Sequence, residues 1–125
     1  MERFDAIVIG AGHAGCESAL ALARTGNKTL LLTISLDAVA FLACNPSIGG
    51  TSKGQLVSEV DALCGVIGLN AGTTGIQSRM LKRGKSPAEQ HLRTHDDNTC
   101  FYKQMRKWLY NEITFLQYDR PENQI

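Results

Sequence analysis

An α/β fold organised around a parallel sheet is what this sequence predicts, and two observations predict it. The apolar run Ala6-Ile7-Val8-Ile9 turns into Gly10-Ala11-Gly12-His13-Ala14-Gly15 and then into a stretch rich in alanine and leucine. A second apolar run, Lys28 to Thr33, follows one helix length later. Strand, glycine turn, helix and strand in that order make a βαβ unit, whose crossover is right-handed and whose strands pair in parallel. With a G-x-G-x-x-G at the first turn, the predicted class is a partial Rossmann-like FAD/NAD(P)-binding domain, consisting of this βαβ unit and the helices and strands after it. The length of 125 residues fits a single domain, 1–125.

Each glycine of the first turn has its own physical task. Gly10 permits the sharp exit from a strand expected to be buried on both faces, and Gly12 leaves the backbone open to a pyrophosphate. Gly15 lets the helix press on the strand. Unbonded N–H groups of the first helical turn and the positive end of the helix dipole then face the phosphates. His13 is a ligand contact or simply loop packing. The helix runs from His13 to Thr25, with Gly26 as its stop. At the end of the second strand, dinucleotide folds usually place an acidic residue on the adenosine ribose. Here that place falls on Thr33, and the nearest carboxylate is Asp37. Thr33 or Ser35 can still bond a hydroxyl, and the lack of a neighbouring Arg or Lys argues against a 2′-phosphate and so against NADP.

Residues 34–43 are too apolar for a loop in solvent and predict a short helix or turn packed on the core. Cys44 to Gly54 forms a second glycine-rich loop, but the G-x-x-x-x-G-K-[ST] spacing is missing, which excludes a P-loop. A helix is predicted from about Thr51 or Ser52 to Leu63, with Leu56, Val57, Val60 and Leu63 on one face. Residues 66–76 are irregular or briefly helical, and alternation from Ile76 to Leu81 predicts a strand. Ser86-Pro87-Ala88-Glu89 carries the signals of a helix start, and that helix is expected to reach about Asn111. Phe101, Met105, Trp108 and Leu109 supply its apolar stripe. Ile113 to Tyr118 predicts a last strand, and Asp119 to Ile125 a polar, frayed tail.

Charge is unevenly spread: residues 1–65 carry four basic and six acidic side chains, residues 66–125 nine and six. The basic run Arg79, Lys82, Arg83, Lys85 and Arg93 is either a solvated turn or a phosphate-contacting patch; no aromatic residue is interleaved to stack on bases. Cys16, Cys44, Cys64 and Cys100 lack C-x-x-C or Cys/His metal spacing, and no leader peptide is evident, so reduced thiols, no bound metal and a cytoplasmic setting are expected. No apolar run approaches the ~20 residues that span a bilayer, so no membrane partner is expected.

Taken together, F-D-A-I-V-I-G-A-G-H-A-G-C-E at 4–17, L-L-L-T at 30–33, L-A-C-N-P-S-I-G-G-T-S-K-G at 42–54, E-V-D-A-L at 59–63 and G-I-Q-S-R-M-L at 75–81 closely resemble the opening of the tRNA uridine 5-carboxymethylaminomethyl modification enzymes, the MnmG/GidA family. The resemblance covers about residues 4–85, weakens in the long helix and is poor after Leu109. It implies an FAD-binding protein that modifies the wobble uridine of certain tRNAs together with a GTPase partner of the MnmE type. The resemblance also implies NADH as flavin reductant and a homodimer in the full-length protein. Gly10, Ala11, Gly12, His13, Ala14 and Gly15 match the family's FAD pyrophosphate loop, and family members share Thr at the position of Thr33. Cys44 matches a family cysteine thought to act near the flavin as nucleophile or acid; from its surroundings alone the better reading is a buried structural thiol.

Two departures stand out. Where the family reads roughly R-G-K-G-P-A-V, this chain has R-G-K-S-P-A-E-Q, so Ser86, Glu89 and Gln90 replace residues of the pattern. Family proteins are also several times longer, so the chain is expected to be an N-terminal part of such a protein. The alternatives are an isolated dinucleotide-binding module or a truncated, catalytically inactive copy.

Overall fold

The computed structural model describes residues 2–41, 47–49, 53–81, 91–96 and 98–117. Its elements are β1 (Ala6–Ile9), α1 (His13–Arg24), β2 (Thr29–Thr33), a 3-10 turn (Leu36–Ala38), β3 (Ser47–Gly49), α2 (Lys53–Ala62), α3 (Val66–Thr74), β4 (Gly75–Leu81), β5 (His91–Asp96), α4 (Asn98–Glu112) and β6 (Thr114–Gln117). The chain divides into two units, residues 1–41 with 106–125, and residues 42–105.

In the first unit the opening glycine turn does what its residues dictate. β1 and β2 pair in parallel, Ala6 opposite Thr29 through Ile9 opposite Leu32, and β6 adds in parallel beyond β2, giving the order β1-β2-β6. Asp5 ties the start of the first pair: its N–H donates to the Lys28 carbonyl at 2.9 Å, and its carboxylate accepts from the Lys28 N–H at 2.8 Å. α1 packs on β1 and β2 and buries Cys16, Ala19 and Leu20, the i, i+3, i+4 spacing of one helix face. It stops at Gly26, φ 89°, whose N–H donates to the Ala23 carbonyl at 2.9 Å. Leu20 and Leu31 are fully buried, worth about 1.5–3 kcal/mol each in area removed from water. The expected turn after β2 is present: the 3-10 turn is followed by buried Val39 and Ala40.

The second unit holds an antiparallel sheet of order β3-β5-β4. α2 and α3 pack on each other and on β5. Their approach is close, because a Cβ on Gly68 would lie 2.7 Å from Asp61 Oδ1. Buried Asn70 fixes the end of this arrangement: its Nδ2 donates to the Phe101 carbonyl at 2.9 Å, and its backbone carbonyl accepts from the Thr73 and Thr74 hydroxyls.

Several expectations are corrected. β1 is not buried on both faces: Val8 lies toward α1, while Ile7 and Ile9 on the other face are 59% and 84% exposed. Residues 91–96, expected inside a helix beginning at Ser86, form β5, and α4 starts only at Asn98. The reason is tertiary: β5 is the central strand, with ladder partners on both sides, and that pairing outweighs a local helix signal. Ser47–Gly49, read as part of a loop, is β3, paired with β5 from Ser47 opposite His95 to Gly49 opposite Arg93. The apolar face of α2 is no core stripe, since α2 buries no residue and Leu56 is 61% exposed, as is Leu63 beyond its end at 84%. Phe101, Met105 and Leu109 of α4 are fully buried as expected, whereas Trp108 is half-buried. Ser86, Glu89, Gln90 and the tail from Asp119 to Ile125 lie outside the described residues. No helix among the described residues is long and apolar enough to cross a membrane.

Candidate functional site

The first β-strand delivers its backbone to the mouth of α1. Gly10 takes φ 97°, a region where a Cβ would be strained, and its N–H donates to the Leu32 carbonyl at 2.9 Å. Gly12 is the N-cap of α1, with extended backbone angles and no side-chain cap. It is exposed, and a Cβ placed on it meets no described atom within 4 Å. Gly15 is the opposite case: a Cβ there would run into the Gly10 carbonyl oxygen, so this glycine is required for packing of helix on strand. The first helical hydrogen bond runs from Cys16 N–H to the Gly12 carbonyl at 2.9 Å. By helix geometry the amides of Ala14 and Gly15 have no acceptor four residues back, and they stand at the positive end of the dipole.

His13 is half-buried in this loop, and burial lowers its pKa from the ordinary 6.5, with nearby Glu17 pulling the other way. Cys16, one turn on, is fully buried, and its thiol donates to the Ala11 carbonyl at 3.3 Å. Burial pushes the Cys16 pKa up to about 11, opposed by the Ala40 backbone N–H and reinforced by Glu17. The thiol therefore stays protonated and is a donor, not a nucleophile.

The far side of the mouth is made by the segment after β2. Thr33 is buried, and its hydroxyl donates to the Ser35 carbonyl at 3.0 Å. That leaves its oxygen lone pairs, but not its proton, for any ligand hydroxyl. Ser35 accepts from the Asp37 N–H at 3.2 Å and keeps its own proton to donate. Asp37 is fully in solvent and lies 3.6 Å from Arg106 Nη2. A basic residue thus stands beside the segment where the sequence neighbourhood of Thr33 holds none. Arg106 is remote in the chain and no local spacing signals it.

The predicted site residues from Gly10 to Gly15 and Thr33 fall in one unit, at the carboxyl ends of adjacent parallel strands, where open α/β sheets bind ligands. Cys44, Lys82, Arg83 and Lys85 lie outside the described residues. Arg79 and Arg93 are register partners on β4 and β5. Among the described residues no cluster of three or more His, Cys, Asp or Glu could hold a metal ion.

Comparison with known proteins agrees with this geometry. The model of the family described as glucose inhibited division protein A matches residues 5–119. The tRNA uridine 5-carboxymethylaminomethyl modification enzyme MnmG of Alkaliphilus metalliredigens is 56% identical over 113 residues, covering 90% of this chain and 18% of the relative. The protein of the same name from Alkaliphilus oremlandii is 59% identical over 110 residues, covering 88% and 18%. The crystal structure of Aquifex aeolicus GidA (form I) superposes with a TM-score of 0.87 at 42% identity, over 93% of this chain and 20% of that one. The chain therefore spans about a fifth of the length of the relatives it matches. A family model aligned over nearly the whole chain, and relatives with more than half their aligned residues identical, agree with the parallel βαβ core and its bare glycine mouth: the chain belongs to the glucose inhibited division protein A (GidA/MnmG) family.

Proposed function

We propose that this chain is the N-terminal part of an FAD-binding domain, and that it holds the diphosphate of FAD at the start of α1. The observation that carries the reading is Gly12: an exposed helix N-cap without a side chain, with open space where a Cβ would stand. That is the cradle a pyrophosphate requires. Gly10 through Gly15 would form the cradle of the diphosphate, with backbone amides at the start of α1 facing it while the Gly10 N–H stays on the Leu32 carbonyl, and Thr33 and Ser35 would accept or donate at the adenosine ribose. FAD, when bound, supplies the redox chemistry; these residues supply binding and orientation.

Within the longer proteins of the family, the activity we assign is modification of the fifth carbon of the wobble uridine of tRNA, with NADH as reductant, a GTPase partner of the MnmE type and a homodimeric flavoprotein in the cytoplasm. Family membership supports this assignment. Cys44, on the residues it shares with the family, is the proposed nucleophile or acid near the flavin. Phosphate contact by tRNA is the proposed role of the basic stretch from Arg79 to Arg93, which predicts binding that weakens with salt.

The test is flavin binding by the purified chain. Flavin absorbance co-eluting with protein, or titratable quenching of added FAD, is the expected result; a colourless protein that neither quenches FAD nor binds ADP overturns it. A second reading, a nucleotide-binding module without chemistry, is favoured by the roles proposed for the described site residues, which are those of phosphate and ribose binding or of packing around them. In that case ADP raises the melting temperature and Cys44→Ser changes neither that gain nor any flavin property.

A further inference from the structure

The carbonyl of Ala11 accepts two hydrogen bonds from different parts of the first unit. The Ala40 N–H donates to it at 2.8 Å and the Cys16 thiol at 3.3 Å. All three residues are buried: Ala11 at 6%, Cys16 and Ala40 at 0% exposure. Ala40 reaches the carbonyl with φ 53°, a left-handed conformation that an alanine keeps only where its surroundings hold it. In a trans peptide the carbonyl oxygen and the next N–H point to opposite sides. An Ala11 oxygen held inward therefore turns the Gly12 N–H outward, to the exposed mouth of α1.

We propose that Cys16 and Ala40 form a lock on the Ala11–Gly12 peptide that presents the Gly12 amide to a diphosphate, with Cys16 as a positioning residue rather than a ligand contact. The proposal rests on the diphosphate reading above and adds its mechanism of preorganisation. The lock is carried by the segment after β2. Asp37 N–H is bound to Ser35 Oγ, Ala38 N–H donates to the Ser35 carbonyl at 3.3 Å, and Phe41 N–H donates to the Ala38 carbonyl at 3.3 Å. Ribose-side and phosphate-side backbone are thus one hydrogen-bonded body, so that order at one end is transmitted to the other. A thiol suits the position because burial keeps it protonated and its donor is weak but permanent.

The experiment compares the wild-type chain with Cys16→Ala and Cys16→Ser, using ADP as the probe. Calorimetric ADP affinity, melting temperature without ligand and the Gly12 amide resonance are read for each. Loss of one net hydrogen bond predicts that Cys16→Ala weakens ADP binding by about threefold to tenfold. Cys16→Ser, which restores a donor, is expected to stay within about twofold of wild type. ADP should shift the Gly12 amide strongly in wild type and Cys16→Ser, and less in Cys16→Ala. Equal ADP affinity in all three chains overturns the lock while leaving the diphosphate site standing, and so does an equal loss in both variants. A wild-type chain that does not bind ADP at all overturns the site reading and the lock with it. If Cys16→Ala does not fold, the Gly12 amide of Cys16→Ser decides: a resonance displaced from its wild-type position overturns the proposal.

Discussion

Arg24, in the last turn of α1, donates through Nε to Glu112 Oε2 at 3.1 Å, 88 residues further along the chain. The same guanidinium lies 5.8 Å from the centroid of the Trp108 ring. The first helix and the end of the last one are thereby joined beside the parallel sheet. This contact accompanies the pairing of β6 with β2, because α4 must lie alongside for its following strand to enter the sheet in parallel.

The two halves of that contact differ in weight. The ion pair is about a third exposed on the Arg24 side, and such pairs contribute roughly 0.2–1 kcal/mol. The guanidinium beside the Trp108 ring adds about 0.5–1 kcal/mol. Arg24→Ala is therefore expected to lower unfolding free energy by about 1–2 kcal/mol, and Glu112→Gln by less than about 0.5 kcal/mol. Urea denaturation of the two variants checks this; equal losses would show that the ring contributes nothing.

Cys64 closes α2 in a left-handed conformation, φ 66°, with its N–H donating to the Asp61 carbonyl at 2.9 Å and the Gly65 N–H to the Val60 carbonyl at 2.9 Å. Helix ends of this kind favour glycine, which has no Cβ to strain. Cys64→Gly should stabilise the chain by about 0.5–1 kcal/mol, a rise in melting temperature of about 2–8 °C. A lowered melting temperature would mean that the exposed thiol makes a contact worth more than the relieved strain.

The first βαβ unit was legible because its signals are local. Gly10, Gly12, Gly15 and Gly26 each mark a backbone event that their immediate neighbours decide, and the structure places a turn, a bare N-cap, a close approach and a helix stop there. What the sequence hid was long-range. Residues 91–96 follow a helix-start pattern but are claimed by strands on both sides, Met80 opposite Leu92 and Ile48 opposite Thr94. Ile7 and Ile9 read as buried because parallel strands usually are, yet one face of β1 is uncovered among the described residues. In the candidate site, Ala40 and Arg106 had no signature at all. An alanine in a left-handed turn and an arginine 69 residues beyond Asp37 acquire meaning only once the chain is folded.

His13 makes stability depend on pH with a defined sign. Its native pKa is lowered by burial below 6.5, so between that lowered value and 6.5 the unfolded chain binds more protons than the native one. Stability is then full above about pH 6.5 and falls as pH drops through the window toward the native pKa. His13→Gln should flatten this part of the profile while leaving the carboxylate-driven loss at lower pH in place. Melting temperatures of both chains from pH 7.5 down to pH 5 check it, and parallel curves would remove His13 from the account. With ADP bound, phosphate charge near the imidazole favours its protonated form, so the wild-type slope should become shallower.

Gly12 and Gly15 separate ligand space from packing space, and one pair of substitutions tests both. The Cβ of an alanine at position 15 collides with the Gly10 backbone carbonyl, with no rotamer to relieve it. Gly15→Ala should therefore cost about 2–3 kcal/mol or more in unfolding free energy. Alanine at position 12 meets no described atom within 4 Å, and the backbone there is in a region any residue adopts. Its cost to the fold is limited to a weaker N-cap, within about 1 kcal/mol. If the open space is where a diphosphate sits, Gly12→Ala lowers ADP and FAD affinity by about tenfold or more, or at least roughly 1.4 kcal/mol, in a chain that remains folded. Unfolding curves and calorimetric titration on the same preparations read the two effects apart. A folded Gly12→Ala chain that binds ADP as wild type does would place the ligand elsewhere, whatever happens at position 15.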